Sequence, residues 1–423
     1  MAQIKIPYGN GEQILDICDT RLLAVLKPKK LETDVKDQSM LVKKALEDPV
    51  NSPPLCELAK GKKSVLVITS DHTRPVPSRV TMPLLLEEIR KYNPDVKITI
   101  LIATGMHRPT TNAELKEKLG EMIVQRETIV VHKAENEEDM AYFGILPSGG
   151  ELWLNSLVKK ADLVVAEGFV EPHFFAGFSG GRKSVLPGIA AKKTVLYNHN
   201  SSFVGDKKAK QGNLKENPIH RDMLFAAKAA NLSFILNVLI DEKKQVKAAF
   251  AGNLENAHEA GCELCRKYTG VKAVTADIAV TSNGGYPLDQ NMYQAVKGMT
   301  AAEATVRKDG IIIMCAQLCD GHGGKDFYNW FSERNSAEEV AEAIRNIPPE
   351  HTQMDQWEAQ VLARVLCKAK CIVVTEKENR KMVEDMHMSW AEDVNKALEM
   401  ATEILGDSST VTVIPDGVGV IVE

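Results

Sequence analysis

The chain has 423 residues, of which 44% are hydrophobic, 26% charged and 5% aromatic, and its formal net charge is -5. Its length exceeds the size at which a single hydrophobic core stops growing, so we expect two domains. The composition excludes a disordered or fibrous protein, and the absence of a long run of Lys and Arg argues against nucleic acid as a partner.

The N-terminal residues lack the apolar stretch of a signal peptide, and no apolar run reaches the roughly 18 residues that span a bilayer. We therefore expect a cytoplasmic protein with no membrane partner. For such a protein the eight cysteines predict reduced thiols rather than disulfides. Cys262 and Cys265 form a C-x-x-C pair with no matching second pair, which favours a helix core over a metal or redox role.

Short apolar, β-branched runs alternate with helical patterns in the first half of the chain. The runs predict buried parallel strands at residues 64–69, 97–103, 127–132 and 162–166. Thr111 and Glu114 form a capping box that begins a helix, so the residues before them lie in a strand-to-helix loop. The sequence therefore predicts an α/β fold with parallel or mixed sheets flanked by helices.

The same alternation continues to the C-terminus. It predicts a strand at 233–241, a hairpin turn at 241–245, a helix at 254–269, a strand at 277–281, a helix at 288–308, a strand at 310–317 and further helices to about 405. We accordingly divide the chain into an N-terminal α/β domain, 1–268, and a C-terminal α/β domain, 269–423. The last strand-like runs, about 409–423, are candidates for packing on the N-terminal domain.

Polar residues gather directly after four predicted strands, where open α/β sheets bind their ligands. The four loops are residues 70–75, 104–109, 167–173 and 282–287. His107 and His173 follow neighbouring strands, which makes them candidates for acid/base chemistry. In the first loop, Asp71 and Arg74 are stronger site candidates than His72. The other histidines are not grouped with polar residues at the ends of neighbouring strands. We interpret them as structural: His132, His220, His258, His322, His351 and His387.

A glycine-rich segment at residues 174–184 is followed by a second polar group at 197–200. Its glycines allow close backbone approach to a ligand, and their amides suit a phosphate. The segment is not a P-loop, because Arg182 stands where that motif requires Gly before Lys183. The alternative is a glycine-rich turn carrying a solvated pair of cations, Arg182 and Lys183.

Inversion of a carbon that bears hydroxyl, carboxylate and hydrogen requires an acid/base group on each face, and His107 and His173 meet that requirement. Arg74 offers a planar fork for a carboxylate, and Lys297 could add a cation from the second domain across an interdomain cleft. Removal of hydride is easier than removal of the α-proton, but hydride needs a carrier. The chain has no G-x-G-x-x-G nucleotide motif to supply it.

The loops at 70–77, 103–109, 171–188 and 198–200 resemble, in order and spacing, the motifs of the nickel-dependent lactate racemase family. The resemblance covers nearly the whole chain. It implies a racemase, or epimerase, of a small 2-hydroxy acid such as lactate or malate that works by reversible hydride transfer. It also implies an active site in the interdomain cleft and, as partners, enzymes that make the cofactor.

The resemblance further implies the cofactor, a nickel-pincer nucleotide built on pyridinium-3,5-bisthiocarboxylate mononucleotide. Lys183 would link it covalently through a thioamide, and His199 would bind its Ni(II). The acid/base groups map to His107 and His173. The remaining implied roles are cofactor contacts at Asp71, His72, Thr73 and Arg74, substrate contacts at Arg74, Gln294 and Lys297, and pocket walls at Tyr293, Met299 and Trp357.

Two other classes of function stay open from the residues. One is a metal-dependent hydrolase in which His107, His173 and His199 bind the metal directly. The other is a non-catalytic protein that holds the nickel nucleotide without turnover.

Overall fold

The computed structural model describes residues 1–33, 35 and 37–423. The strands are β1 Ala2–Tyr8, β2 Gly11–Ile17, β3 Leu22–Val25, β4 Ser64–Ser70, β5 Lys97–Ala103, β6 Thr128–Val131, β7 Met140–Ile145, β8 Glu151–Asn155, β9 Leu163–Phe169, β10 Pro172–His173, β11 Gly177–Phe178, β12 Leu232–Ile240, β13 Val246–Gly252, β14 Gly270–Val271, β15 Ala276–Ser282, β16 Val306–Cys315, β17 Lys370–Val374, β18 Ser389–Ala391, β19 Val411–Ile414 and β20 Ile421–Val422.

The α-helices are α1 Gln38–Glu47, α2 Leu55–Ala59, α3 Ser78–Arg90, α4 Asn112–Leu119, α5 Glu121–Arg126, α6 Leu157–Lys160, α7 Lys192–Asn198, α8 Ser201–Val204, α9 Pro218–Ala229, α10 Asn256–Thr269, α11 Met292–Thr305, α12 Lys325–Ser332, α13 Ala337–Arg345, α14 Gln356–Lys368, α15 Arg380–Asp385 and α16 Val394–Leu405. Short 3₁₀ turns lie at Glu137–Asp139, Gly181–Ser184, Pro349–His351 and Lys377–Asn379.

The chain forms two compact units, and neither is continuous in sequence. Unit 1 comprises Met1–Lys29, His199–Lys207 and Tyr268–Glu423, and unit 2 comprises Lys30–Asn198 and Lys208–Lys267. The division at residue 268 placed all of residues 1–268 in one domain. The structure instead groups the first 29 residues and the segment 199–207 with the C-terminal residues. The first group is joined by the pairing of β3 with β19, and the second by the packing of α8 on α14.

Unit 2 is built on a six-stranded sheet with the order β13-β12-β9-β4-β5-β6. Its strands pair in parallel, except for the antiparallel hairpin β12–β13. Their apolar side chains pack against α1 and α3 in one core that includes Val67, Ile100 and Val165. The predicted strands and the Thr111–Glu114 capping box of α4 are confirmed.

Unit 1 contains a second six-stranded sheet, with all pairs parallel, in the order β18-β17-β16-β15-β19-β3. The β1–β2 hairpin contributes Ile6 and Leu15 to the core of this sheet. Among the last strands, β19 lies inside this sheet, between β15 and β3. It therefore pairs with residues of the range 1–268, but these N-terminal residues belong to the sheet of unit 1.

Among the described residues, no helix combines the length and apolar character that a membrane span requires. Cys262 and Cys265 are buried in α10, as predicted, and every cysteine is a free thiol.

Candidate active site

Three of the four polar loops leave the sheet of unit 2 at the same edge. Strands β9, β4 and β5 are neighbours and parallel, so the chain leaves all three at their carboxyl ends. The loop after β4 carries Asp71, Thr73 and Arg74, the loop after β5 carries His107, and the segment after β9 carries His173. The sheet therefore gathers the predicted acid/base residues of this unit at one edge.

Asp71 and His107 form a hydrogen-bonded ion pair across two of these loops. The distance from His107 Nδ1 to Asp71 Oδ2 is 2.7 Å, and Asp71 is 1% exposed while the His107 side chain is 43% exposed. Burial alone would raise the pKa of Asp71, but the hydrogen bond and charge of His107, with Thr73 and Arg74, hold this pKa below its ordinary value. A carboxylate that accepts from Nδ1 leaves Nε2 as the proton-accepting nitrogen of neutral His107.

Thr73 connects this pair to Arg74. The amide and hydroxyl of Thr73 donate to Asp71 Oδ1 at 3.1 and 2.7 Å, and the Arg74 guanidinium donates to the Thr73 hydroxyl at 2.9 Å. Arg74 remains exposed. The loop therefore fixes Asp71 from within and leaves a guanidinium at the surface that suits a carboxylate.

His72 points to a different partner. Its Nδ1 lies 3.0 Å from the Thr110 hydroxyl, and its Nε2 lies 3.9 Å from Glu114. Burial lowers the pKa of His72, although Asp71 and Glu114 oppose that effect. His72 thus joins the β4 loop to the start of α4, which is a supporting contact between two loops of the site.

His173 lies in the two-residue strand β10, which pairs with β11 in a tight reversal. Its ring stacks on Phe174 and meets Phe175 edge-on, with centroid distances of 5.0 and 4.7 Å. The amide of Ala176 donates to His173 Nδ1 at 3.2 Å. Because Nδ1 accepts here, the proton of neutral His173 is on Nε2, whereas neutral His107 carries its proton on Nδ1.

Lys183 lies in the 3₁₀ turn that follows the glycine-rich segment. Its amide donates to the carbonyl of Gly180 at 3.1 Å, and its carbonyl accepts from Gly188 at 3.2 Å. Gly180 has a φ of +80°, and a Cβ atom there would lie 2.8 Å from both Asn237 Oδ1 and the Phe169 carbonyl. The backbone before Lys183 is therefore packed closely against Asn237 and Phe169, and position 180 requires glycine.

The other predicted site residues lie in unit 1. His199 is buried and meets Trp357 edge-on with a centroid distance of 5.2 Å. Trp357 Nε1 donates to the Tyr293 hydroxyl at 3.0 Å, and on the same helix, α11, Lys297 donates to Gln294 Oε1 at 2.6 Å. Unit 1 therefore brings an imidazole, an indole and a phenol together. Met299, predicted as a pocket wall, is fully buried.

Two buried acids escaped the sequence analysis. Glu167, at the end of β9, is fully buried and accepts hydrogen bonds from the hydroxyls of Thr69, Ser78 and Thr81. Glu358, next to Trp357 on α14, is also buried, and burial raises its pKa although the charge of Lys297 opposes the rise. The sequence carries one signal for Glu167, because a carboxylate adjoins an apolar strand there. It carries no signal for Glu358, which resembles the many other glutamates in helices.

Within the part of the chain that the structure describes, no group of three or more His, Cys, Asp or Glu side chains is arranged to hold a metal ion. His107 and His173 belong to unit 2 and His199 to unit 1. The metal-dependent hydrolase alternative therefore has no ligand set within either unit.

Comparison with known proteins identifies both halves of the chain. Residues 8–212 match the lactate racemase N-terminal domain family, and residues 271–422 match the lactate racemase C-terminal domain family. The chain is 52% identical over 423 residues to the lactate racemase of Thermoanaerobacterium thermosaccharolyticum, covering 100% of this chain and 99% of that protein. It is 46% identical over 424 residues to the lactate racemase of Lactiplantibacillus plantarum, covering 100% of both.

Solved structures give the same result. The lactate racemase apoprotein from Thermoanaerobacterium thermosaccharolyticum superposes with a TM-score of 0.97 at 52% identity, covering 100% of both chains. A Thermotoga maritima protein superposes with a TM-score of 0.64 at 19% identity, covering 94% of this chain and 100% of that one. At that identity the second structure shows only a shared fold.

Proposed function

Because the chain belongs to the lactate racemase family and is therefore an isomerase, we propose that it interconverts the two enantiomers of lactate or of a closely related 2-hydroxy acid. Two full-length relatives, at 52% and 46% identity, are lactate racemases. Racemisation moves a hydrogen from one face of the α-carbon to the other, and the substrate hydroxyl must lose and regain its proton.

The observation that carries the proposal is the Asp71–His107 pair. His107 Nε2 takes the hydroxyl proton of the substrate, and the resulting imidazolium is stabilised by the Asp71 carboxylate at 2.7 Å. A hydrogen bond between charged groups contributes about 1.5–3 kcal/mol. Asp71 thus acts through His107, holding the ring and its tautomer, and is a positioning residue.

His173 has the complementary arrangement. Its Nδ1 accepts from Ala176, so its Nε2 is the nitrogen that donates a hydrogen bond to the substrate oxygen. Neutral His107 and neutral His173 therefore present one acceptor and one donor, the pair that a reaction with opposite proton movements on its two sides requires. In the other direction of the reaction, Nε2 of His173 must accept a proton. Neutral His173 then carries its proton on Nδ1, so Nδ1 no longer accepts from the Ala176 amide.

The residues of the chain fit a nickel-pincer nucleotide joined to Lys183. Its organic part would supply most of the metal donors, which suits a protein with a buried imidazole, His199, and no three-residue ligand set in the described residues. His199 would bind the nickel, and Lys183, fixed by backbone bonds on both sides, would form the thioamide. When bound, this group supplies the hydride acceptor that the side chains lack.

The substrate carboxylate has two candidate partners. Arg74 is exposed and held by Thr73, and Lys297 is paired with Gln294 at 2.6 Å. Both cations suit a carboxylate, and Gln294 adds an amide that can donate to the same anion. His72 and Thr73 lie in the loop we assign to the nucleotide part of the cofactor, together with the glycine-rich segment.

The experiment that tests the proposal compares wild type with Lys183→Ala, each co-produced with the enzymes that make the cofactor. We expect a covalent adduct of nucleotide size and about one nickel per chain in wild type, no adduct in Lys183→Ala, and lactate racemisation only in the former. Lys210→Ala, at an exposed lysine, is the matched control.

Racemisation of lactate without any adduct would overturn the covalent cofactor. An adduct without turnover on lactate, malate or other 2-hydroxy acids would favour the non-catalytic binding protein. Racemisation in D₂O gives a further check, because transfer of the α-hydrogen as hydride leaves the product without deuterium at that carbon.

A further inference from the structure

Arg182, which immediately precedes Lys183, is one of the most buried side chains of the protein, with 1% exposure. Its Nη1 donates to the carbonyls of Phe178 and Gly180 at 2.8 and 3.2 Å, and its Nη2 donates to the carbonyl of Ala176 at 2.8 Å. The guanidinium therefore binds the backbone of its own loop. This excludes the alternative in which Arg182 and Lys183 form a solvated pair.

Two histidines complete what we call the guanidinium cluster, Arg182, His220 and His258. Arg182 Nε donates to His220 Nδ1 at 2.9 Å. His258 Nε2 lies 2.8 Å from the Ser179 carbonyl and 3.0 Å from Arg182 Nη1. A neutral imidazole nitrogen either donates or accepts, and Nη1 already has carbonyl acceptors, so His258 donates to Ser179. Both histidines thus hold the same loop as Arg182.

The cluster contains one cation and no carboxylate partner among the described residues. Burial and the charge of Arg182 lower the pKa of His220 to about 3 and that of His258 far below its usual value, so both rings are neutral. A buried charge with only neutral partners is expensive to keep. An apolar side chain here would leave the carbonyls of the loop and His220 Nδ1 without these donors, so the guanidinium holds the backbone in this shape.

That shape determines where Lys183 points. Residues 181–184 form a 3₁₀ turn, in which successive side chains are about 120° apart. With Arg182 anchored inward, Lys183 must leave the turn in a different direction, and it is only partly buried. The carbonyl of Gly180 accepts from both the Arg182 side chain and the Lys183 amide, which couples the two residues directly.

We infer that Arg182 is a positioning residue whose buried guanidinium, held by neutral His220, shapes the glycine-rich loop together with neutral His258 so that Lys183 is presented for covalent attachment of the cofactor. The inference rests on the proposed function, because it takes Lys183 as the attachment site. It assigns a role in cofactor loading to three residues that contact the loop before Lys183.

The test measures loading and loop order separately from turnover. Arg182→Lys retains the charge but cannot reproduce the planar set of donors. His220→Leu removes the acceptor for Arg182 Nε, whereas His220→Asn retains an acceptor near the position of Nδ1. Arg221→Lys changes the exposed neighbouring arginine and is the matched control. Each variant is co-produced with the cofactor-making enzymes, and its covalent adduct is followed by intact mass.

Loss of one charged hydrogen bond should slow loading about tenfold or more in Arg182→Lys and His220→Leu. In the same variants without cofactor, amide hydrogen exchange at residues 177–183 should accelerate by a similar factor. His220→Asn and Arg221→Lys should match wild type in both measurements. Rescue by Asn at position 220 separates a positioning role from a general loss of stability, because Leu and Asn both remove the imidazole.

Wild-type loading and wild-type exchange in both Arg182→Lys and His220→Leu would overturn the inference while leaving Lys183 as the attachment site. If Arg182→Lys does not fold, the comparison of His220→Leu with His220→Asn tests the inference. Equal loading in these two variants overturns it. Failure of the proposed function gives a different result. A covalent adduct that persists in Lys183→Ala shows that Lys183 is not the attachment site.

Discussion

His107 Nδ1 and Asp71 Oδ2 are 2.7 Å apart, although 36 positions separate the two residues in the chain. The contact joins two loops that leave adjacent parallel strands, β4 and β5. It sets which nitrogen of His107 carries the proton in the neutral ring. The same contact supplies a negative charge beside the imidazolium that would form during turnover.

Asp71→Asn should therefore lower kcat much more than it disturbs the fold. The amide removes the charge that stabilises protonated His107 and no longer enforces the Nδ1 tautomer, so we expect a loss of about 10²-fold or more. Steady-state kinetics of lactate racemisation measure it, with Asp407→Asn at an exposed position as the control. Unchanged kcat would show that Asp71 does not act through His107.

Substitution of either acid/base histidine should affect both directions of the reaction equally. Enantiomers have the same free energy in water, so the ratio of kcat/KM for the two directions must equal one in any variant. We expect His107→Asn and His173→Asn each to lower kcat/KM by about 10²- to 10⁴-fold from D- and from L-lactate. Chiral chromatography of the products measures both. A normal rate in either variant would contradict the assignment of two acid/base groups.

Lys297→Gln should raise KM for the 2-hydroxy acid more than it lowers kcat. A neutral amide can still contact Gln294, but it does not attract a carboxylate, and loss of one charged hydrogen bond corresponds to about tenfold or more in affinity. The measurement is KM for each enantiomer, with Lys308→Gln at an exposed lysine of β16 as the control. A KM equal to that of wild type would exclude Lys297 from the substrate site.

Glu167→Gln should destabilise unit 2 and weaken catalysis together. Glu167 accepts from Thr69, at the end of β4, and from Ser78, at the start of α3, so it supports the Asp71 loop from both ends. An amide offers one acceptor where the carboxylate offers two, and an unsatisfied buried hydroxyl costs about 1–3 kcal/mol. Urea unfolding and kcat measure the two effects. In Glu121→Gln, an exposed control, neither should change.

Buried His132 should make the fold sensitive to acid. Burial lowers its pKa to about 4, against the opposing bond to the Ala190 carbonyl. Between the unfolded value of about 6.5 and the folded value of about 4, the unfolded chain binds a proton that the native chain does not, so stability falls as the pH falls, by up to about 1.4 kcal/mol per unit.

In His132→Gln, the loss of unfolding free energy between pH 7 and pH 5 should be smaller than in wild type by about 2 kcal/mol. Urea unfolding at both pH values measures it. His351→Gln, at an exposed histidine, should retain the wild-type dependence. An identical pH dependence in His132→Gln and wild type would place the acid sensitivity elsewhere.

Much of the candidate site could be read from local pattern. The apolar runs predicted β4, β5 and β9, and the polar residues that follow them, Asp71 and His107, are in contact in the structure. These features follow from nearest-neighbour chemistry: a β-branched run forms a strand, and polar residues after parallel strands meet at one edge.

The roles of buried polar groups could not be read in this way. Arg182 was interpreted as either a loop residue or a solvated cation, yet it is buried among backbone carbonyls and two histidines that the pattern marked only as structural. Glu358 looked like an ordinary carboxylate of a helix, and Glu167 was grouped only with the polar loop that begins there. Whether a polar group is solvated or buried depends on partners that come from distant segments, and sequence spacing does not encode those partners.

The sequence by itself determined the α/β class, most strands of the unit 2 sheet, the polar loops and the family motifs, because each depends on a short local segment. In unit 1 it predicted β15, β16 and β19 but missed β3, β17 and β18. Only the tertiary structure decided the composition of the two units. Strand β3 pairs with β19, at the opposite end of the chain. The segment 199–207 belongs to unit 1, although the residues on both sides of it belong to unit 2. Such long-range pairing is fixed by which apolar faces bury each other, and burial is a property of the whole chain rather than of any local segment.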